Sequence, residues 1–177
     1  PRLSPPVRES GAGVMQIDAA TRRNLELTQA LSGGREGSLL AAIDRTATAA
    51  GARLLERRLS APSRDLGEIR ARHETIRFLL EDSQFTAGLR DDLRRCPDMD
   101  RALSRLALDR GGPRDLGAIR AGLTQAEALA GKLARDDTPP LLAGAATALT
   151  GHDDLIALLD AALVAEPPLM ARDGGFV

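Results

Sequence analysis

The turn from Gly33 to Ser38 is the segment of this sequence that comes closest to a phosphate-binding loop. A P-loop places its glycines before a lysine, so that backbone amides surround the phosphates and the lysine reaches them. This turn carries the acidic Glu36 and contains no lysine. We therefore interpret it as a flexible turn, and a small nucleotide-binding protein that uses it is kept as one alternative.

The two histidines lack the partners that histidine chemistry requires. Glu74 follows His73, but no second histidine lies four residues further on, so the H-E-x-x-H pattern of zinc proteases is absent. His152 precedes Asp153 and Asp154. We interpret His73 as a packed or partly exposed residue on the inward side of a helix, and His152 as a residue at a helix end.

Adjacent aspartates occur three times, at Asp91–Asp92, Asp136–Asp137 and Asp153–Asp154. Neighbouring residues of a helix point about 100° apart and do not converge on one substrate. Solvated surface charge is the better interpretation of all three pairs. Cys96 is the one cysteine and cannot form an internal disulfide. No matched nucleophile and base is visible, and we predict no catalytic residue, no metal ligand and no cofactor-binding residue.

The charge balance argues against extensive contact with nucleic acid. The sequence has 24 basic and 25 acidic residues, a net charge of -1, which does not create the basic field that holds phosphate backbones. Its aromatic residues are only Phe78, Phe85 and Phe176, so few platforms exist for stacking bases. No apolar run reaches the roughly 18 residues of a membrane span, and we expect a soluble, cytoplasmic protein without a membrane partner.

The composition predicts an all-α fold. Leucine and alanine, which favour helices, supply most of the apolar residues, whereas aromatic and β-branched residues are scarce. Short strands are expected only near the ends: Met15–Asp18 and Leu25–Leu27 alternate over a few residues, and the tail 169–177 could be extended. The prolines and glycines of residues 1–14 indicate a linker, and a start without methionine suggests a trimmed fragment.

Two helices are predicted from apolar residues at alternating spacings of three and four. The first stripe contains Leu66, Ile69, His73, Ile76 and Leu80. The second contains Leu116, Ile119, Leu123, Ala126, Ala130 and Leu133, and predicts a helix of about 18–20 residues, near 30 Å long. Both helices begin with Arg-Asp-Leu-Gly, and we expect Asp65 and Asp115 to accept hydrogen bonds from the free amides of a first turn.

Several segments together resemble the opening of the core domain of MutS-type DNA mismatch-repair proteins. They occur in the order of that family and cover nearly all of the chain from Met15 onward. They are Ile17–Leu27 (IDAATRRNLEL), Ser38–Thr46 (SLLAAIDRT), Gly51–Leu55 (GARLL), Arg105–Leu108 (RLAL), Arg110–Leu116 (RGGPRDL), Pro167–Pro168 and Arg172–Gly175 (RDGG). One departure is Ala49–Ala50 before Gly51, where the family often has a proline.

The resemblance implies a structural role in a larger protein. It assigns residues 1–14 to a linker from an upstream connector domain, 15–168 to a helical core and lever domain, and 169–177 to the start of a segment leading to the DNA clamp. The lever would link the mismatch-binding end to the ATPase end. Mismatched DNA, ATP and Mg, a second copy of the parent protein and a MutL-type repair partner would all be bound through parts that are absent here.

The resemblance also selects residues as structural members of its motifs, none of them catalytic. These are Asp18, Thr21, Arg22, Asn24, Leu25, Glu26, Asp44, Thr46, Gly51, Arg53, Leu54, Gly112, Asp115, Leu116, Asp173 and Gly174. In the family, later sequence completes the core, so we expect an apolar patch on this chain alone. Leu116, Ile119 and Leu123 should each cost about 2–5 kcal/mol when cut to alanine, provided they are buried. The other alternative is a free-standing helical adaptor that docks partner helices.

Overall fold

The computed structural model describes residues 13–177, and most of the predicted linker 1–14 lies outside them. Within this range the chain is helical, as the composition predicts, and contains no β-sheet. The helices are α1 Ala19–Asn24, α2 Leu39–Ile43, α3 Ala49–Ser60, α4 Leu66–Glu81, α5 Ser83–Arg95, α6 Met99–Ala107, α7 Pro113–Leu133, α8 Pro140–Ala148 and α9 Asp153–Ala162, with a 3₁₀ turn at Ala171–Asp173. No helix of residues 13–177 is both long and apolar enough to cross a membrane.

The chain divides into two compact units, and α3 and α4 contribute to both. The described part of the first unit comprises residues 13–45 and 52–70, and the second comprises 46–51 and 71–177. In the first unit, Leu27, Ser38 and Leu40 are buried. The hydroxyl of Ser38 caps α2 by accepting a hydrogen bond from the Ala41 amide at 3.2 Å.

The strands predicted near the N-terminus do not form. Met15–Asp18 makes no strand because the Asp18 carboxylate accepts from the Thr21 amide at 2.9 Å and starts α1; an isolated bridge joins Val14 to Ser63 instead. Leu25–Leu27 continues the helix end, because the amides of Leu25 and Leu27 bond back to Thr21 and Arg22.

The C-terminal tail is also not a strand. The Asp173 carboxylate accepts from the Met170 amide at 3.2 Å and closes the 3₁₀ turn. Gly174 and Gly175 then have φ angles of 67° and 64°, a left-handed conformation that glycine adopts without strain. These two glycines prevent a regular extended run.

The predicted stripe of α4 is wrong as a buried face. Leu66, Ile76 and Leu80 are 64%, 53% and 77% exposed, and His73 is also exposed. Phe78 and Leu79 lie inward instead: Leu79 packs beside Leu89, and the Phe78 ring meets Phe85 edge-on at 5.8 Å. The aromatic pair therefore determines which side of this helix is covered.

Helix α7 organises the second unit, and its predicted stripe is confirmed. It contacts α5, α6, α8 and α9. Two apolar clusters pack along α7, and we name them after the half of this helix that they cover. The N-terminal cluster lies around the first half of α7, and the C-terminal cluster lies around the second half. Their buried members are Ala102, Ile119, Leu159 and Leu163 in the N-terminal cluster, and Leu89, Leu129 and Leu133 in the C-terminal cluster. Leu116 and Leu123 are only half-buried.

Candidate functional site

The residues selected from the sequence do not converge on one centre. In the first unit, Asp18 caps α1, and Thr21, Arg22, Asn24 and Leu25 are exposed around that short helix. Glu26 has a φ of 48°, and its carboxylate accepts from the Leu31 amide at 2.6 Å. Asp44 forms an ion pair with Arg35. These contacts fix local turns.

The remaining selected residues lie further along the chain. Arg53 and Leu54 are in α3, and Gly51 precedes them with its amide bonded to the Thr48 hydroxyl at 2.9 Å. Thr46 lies just before that helix. Asp173 and Gly174 form the 3₁₀ turn and its exit. Gly112, Asp115 and Leu116 are the members that the structure brings together, at the start of α7.

The start of α7 is held by a part-buried carboxylate. Asp115 Oδ1 accepts from Arg105 Nε at 3.0 Å, and its Oδ2 accepts from the Gly112 amide at 3.0 Å. Asp115 therefore lies inside the first turn of α7, and its carboxylate accepts from the amide of Gly112, the residue before the helix. Asp65 instead lies before α4, and its carboxylate caps the helix by accepting from the Glu68 amide. The two Arg-Asp-Leu-Gly segments are not equivalent helix starts, because Pro113 begins α7 two residues before its aspartate.

The middle of α7 is held through Arg120. Its guanidinium donates to the carbonyl oxygens of Leu163 at 3.2 Å, Val164 at 3.2 Å and Ala165 at 3.0 Å. These carbonyls follow the end of α9, where such groups lack partners within the helix. One arginine thus ties α7 to the exit of α9.

The last turn of α7 is held through Asp92 of α5, which is only 3% exposed. Its carboxylate forms ion pairs with Lys132 and Arg95. The hydrogen bond from Lys132 is the chief cause that lowers the pKa of Asp92, and Arg95 adds to it. The interpretation of Asp91–Asp92 as solvated charge is therefore wrong for Asp92, although Asp91 is exposed.

Beyond α7, Arg135 ties the chain to the junction of α4 and α5. It bonds to Asp82 at 3.3 Å and to Asp137 at 2.9 Å. Its guanidinium also lies over the rings of Phe78 and Phe85, with distances of 5.4 and 4.8 Å to the ring centroids. The resulting contacts fix where the segment after α7 turns.

Among these anchoring side chains, only Asp115 was selected from the sequence, and its pairing with Arg105 was not predicted. Arg105 and Asp115 are ten residues apart, and Lys132 is forty residues from Asp92, so no helical spacing links the partners. We name Asp115, Arg120 and Lys132, with their partners, the α7 anchors.

The glycine-rich turn does not fit a triphosphate. Gly33, Gly34 and Gly37 have positive φ angles, as a tight turn requires, but Arg35 is paired with Asp44 and the following α2 has only five residues. Among residues 13–177, no group of three or more His, Cys, Asp or Glu side chains is placed to hold a metal ion.

Gly112 is expected to tolerate no side chain. A Cβ built there would lie 2.6 Å from the Leu169 carbonyl oxygen, which is backbone and cannot rotate away. Gly112→Ala should lower the free energy of unfolding by about 1–3 kcal/mol, as overpacking does. Gly131→Ala is the matched control, because nothing lies within 4 Å of its Cβ position, and helix propensity should raise stability by about 0.5–1 kcal/mol. Urea unfolding of both variants checks this, and equal effects of the two changes would contradict it.

We expect the free energy of unfolding to fall in acid, and protonation of Asp115 should contribute to this loss. Its hydrogen bond from Arg105 holds its pKa below the ordinary 3.8 despite the opposing effect of burial, and the Gly112 amide adds to the lowering. A lowered pKa stabilises the folded state above the ordinary value, and this contribution is lost as the pH falls through the folded pKa. The stability difference between the parent and Asp115→Asn should therefore shrink below about pH 4. Urea midpoints from pH 7 to pH 2.5 measure it, and a constant difference would contradict the assignment.

Known proteins resemble this chain over its whole length. The sequence model described as MutS domain III matches residues 20–177. The chain is similar to proteins named DNA mismatch repair protein MutS from Paracoccus denitrificans at 71% identity, Cereibacter sphaeroides at 67% and Ruegeria pomeroyi at 63%. Each match covers 100% of this chain and 20% of the relative, so the chain spans about a fifth of the length of these curated relatives.

Proposed function

The chain belongs to the MutS domain III family, as a segment of a DNA mismatch-repair protein, and on that premise we propose that it transmits conformational change through α7. The movement would pass between the part of the protein that binds mismatched DNA and the part that hydrolyses ATP. This segment would be non-catalytic itself. Residues 15–168 would form the core and lever, and 169–177 the start of the segment towards the clamp.

The anchoring of α7 is the observation that carries the proposal. The helix has 21 residues and is therefore about 31 Å long at 1.5 Å per residue. Its anchors join it to α6, the exit of α9 and α5, while two apolar clusters pack along it. A helix held in this way moves as a semi-rigid body, which is what carries a shift between distant sites when both bias one two-state element.

The partners would be bound outside this chain. We propose that the remaining parts of the protein bind mismatched DNA, ATP and Mg, pair with a second copy and contact a MutL-type partner, in the cytoplasm. Leu66, Ile76 and Leu80 of α4 are exposed. Their exposure supports the proposal that other parts of the protein cover apolar surface of this chain.

Arg120→Gln in the complete protein tests the transmission. This change removes the charge that binds the carbonyls beyond α9 and leaves the apolar clusters in place. We expect the ratio of ATP turnover on mismatched to fully paired duplex to fall about twofold or more, the usual range for residues on a coupling path. ATP turnover without DNA and affinity for mismatched duplex should stay within the error of the parent.

Arg101→Gln is the matched control, since Arg101 is exposed in α6 and lies outside the anchors. It should leave the ratio unchanged. If Arg120→Gln and Arg101→Gln gave the same ratio as the parent protein, α7 would not transmit through this anchor.

A further inference from the structure

A cleft of about 490 Å³ opens beside the start of α7. The lining includes Arg105, Arg110, Arg114 and Asp115, and residues 169–171 supply a largely apolar part of it. Leu169 and Met170 are 57% and 44% exposed there. The cleft therefore combines concentrated positive charge with an apolar surface.

The positive charge of the cleft is only partly neutralised. Asp115 is its one lining carboxylate, and both of its oxygens are occupied by Arg105 and the Gly112 amide. Arg110 and Arg114 are exposed, and neither guanidinium has an ion-pair or hydrogen-bond partner among the described residues. Asp109 precedes Arg110 in sequence but does not line the cleft. Two arginine charges are thus left facing one concave surface.

Arginine side chains, rather than the helix terminus, determine what would bind here. Pro113 has no amide hydrogen, and the Gly112 amide is already bonded to Asp115. Guanidinium groups present paired donors that match the oxygens of a phosphate. A phosphate monoester or pyrophosphate would balance both unpaired charges, whereas a single carboxylate would balance one. A DNA backbone phosphate carries one charge, and its oxygens would be shared by both guanidinium groups.

We propose that this cleft is a phosphate-binding site in which Arg110 and Arg114 hold the phosphate oxygens and Asp115 keeps Arg105 positioned beside them. The apolar side, formed by Leu169 and Met170, contacts the carbon skeleton that carries the phosphate. The phosphate comes from a DNA backbone or from a small phosphorylated molecule. The site shares Arg105 and Asp115 with the α7 anchors, but phosphate binding there does not depend on the transmission proposed for α7.

Residue-specific arginine footprinting tests the site in the complete protein. Phenylglyoxal modifies accessible guanidinium groups, and mass spectrometry gives a rate for each arginine. We expect a dissociation constant for pyrophosphate of about 1 mM. At several times that concentration, pyrophosphate should slow the modification of Arg110 and Arg114 about threefold or more. Arg77, exposed on α4, should be unaffected and serves as the internal control. A short paired DNA duplex forms the second arm.

The outcomes separate the sources and can overturn the site. Protection by duplex alone assigns the phosphate to a DNA backbone, and protection by pyrophosphate alone assigns it to a small molecule. Arg114→Gln should abolish protection of Arg110, because the two share one anion, whereas Arg77→Gln should not. The proposal would be overturned if neither pyrophosphate nor duplex protected Arg110 and Arg114. It would also be overturned if both arginines were modified slowly before any probe was added.

Discussion

Leu129→Ala is expected to lower the free energy of unfolding by about 2–5 kcal/mol, the range for leucines cut to alanine in a packed core. Leu129 is 4% exposed and lies in the C-terminal cluster between Leu89 and Leu133. Half-buried side chains from α4, α5 and α8 surround this cluster, so its walls belong to four helices and cannot close easily around a cavity. Urea unfolding followed by circular dichroism at 222 nm measures the loss.

Leu158→Ala provides the control for that loss. Leu158 is 63% exposed on α9 and belongs to neither cluster, so its removal should change stability by no more than about 0.5 kcal/mol. The packing described for α7 would be contradicted if the two leucines gave equal losses.

Asp115→Ala should cost about 1–3 kcal/mol, since it removes a capping carboxylate and leaves the half-buried Gly112 amide and Arg105 guanidinium without this partner. Asp115 is 8% exposed, and its loss frees both the Gly112 amide and the Arg105 guanidinium. The effect should be largest at neutral pH, where the carboxylate is charged. The same urea titration at pH 7 measures it.

Asp136→Ala is the matched control for the carboxylate. Asp136 is exposed in the turn after α7, and its loss should change stability by no more than about 0.5 kcal/mol. In addition, Arg105→Met should remove much of the effect of Asp115→Ala in the double variant, because the two changes break one interaction. Fully additive losses would show that Asp115 acts without Arg105.

The sequence predicted elements whose determinants are local or strongly periodic. Helix α7 followed from six apolar residues at helical spacing. The strand expected at Met15–Asp18 failed because the capping ability of Asp18 outweighed a four-residue alternation.

The side chains that fix the position of α7 were not predictable in this way. A stripe such as Leu66 to Leu80 shows that a helix has an apolar side, but it does not say which neighbour covers that side. For the same reason, spacing alone does not predict that Asp92 is buried beside Lys132, which is forty residues away. Long-range pairing depends on tertiary packing, and spacing within one helix carries no information about it.

The family resemblance was confirmed, but of the α7 anchors it selected only Asp115. Of its selected residues, Gly112, Asp115 and Leu116 lie at the start of α7, whereas Arg120 and Lys132 were not among them. Arg110 and Arg114 belong to one of the family motifs, but only the fold places them in one cleft with residues 169–171.

Softening α7 should weaken the proposed coupling, because a less stiff helix carries less of a shift from one end to the other. The measurement is the ratio of ATP turnover on mismatched to paired duplex in the complete protein with Ala121→Gly and Ala128→Gly. Both alanines are exposed, so each change should cost about 1 kcal/mol of helix stability while leaving the clusters intact. Ala145→Gly with Ala148→Gly imposes the same cost on exposed positions of α8. We predict that the ratio falls in the α7 variant and is retained in the α8 variant; an equal ratio in both would contradict transmission through α7.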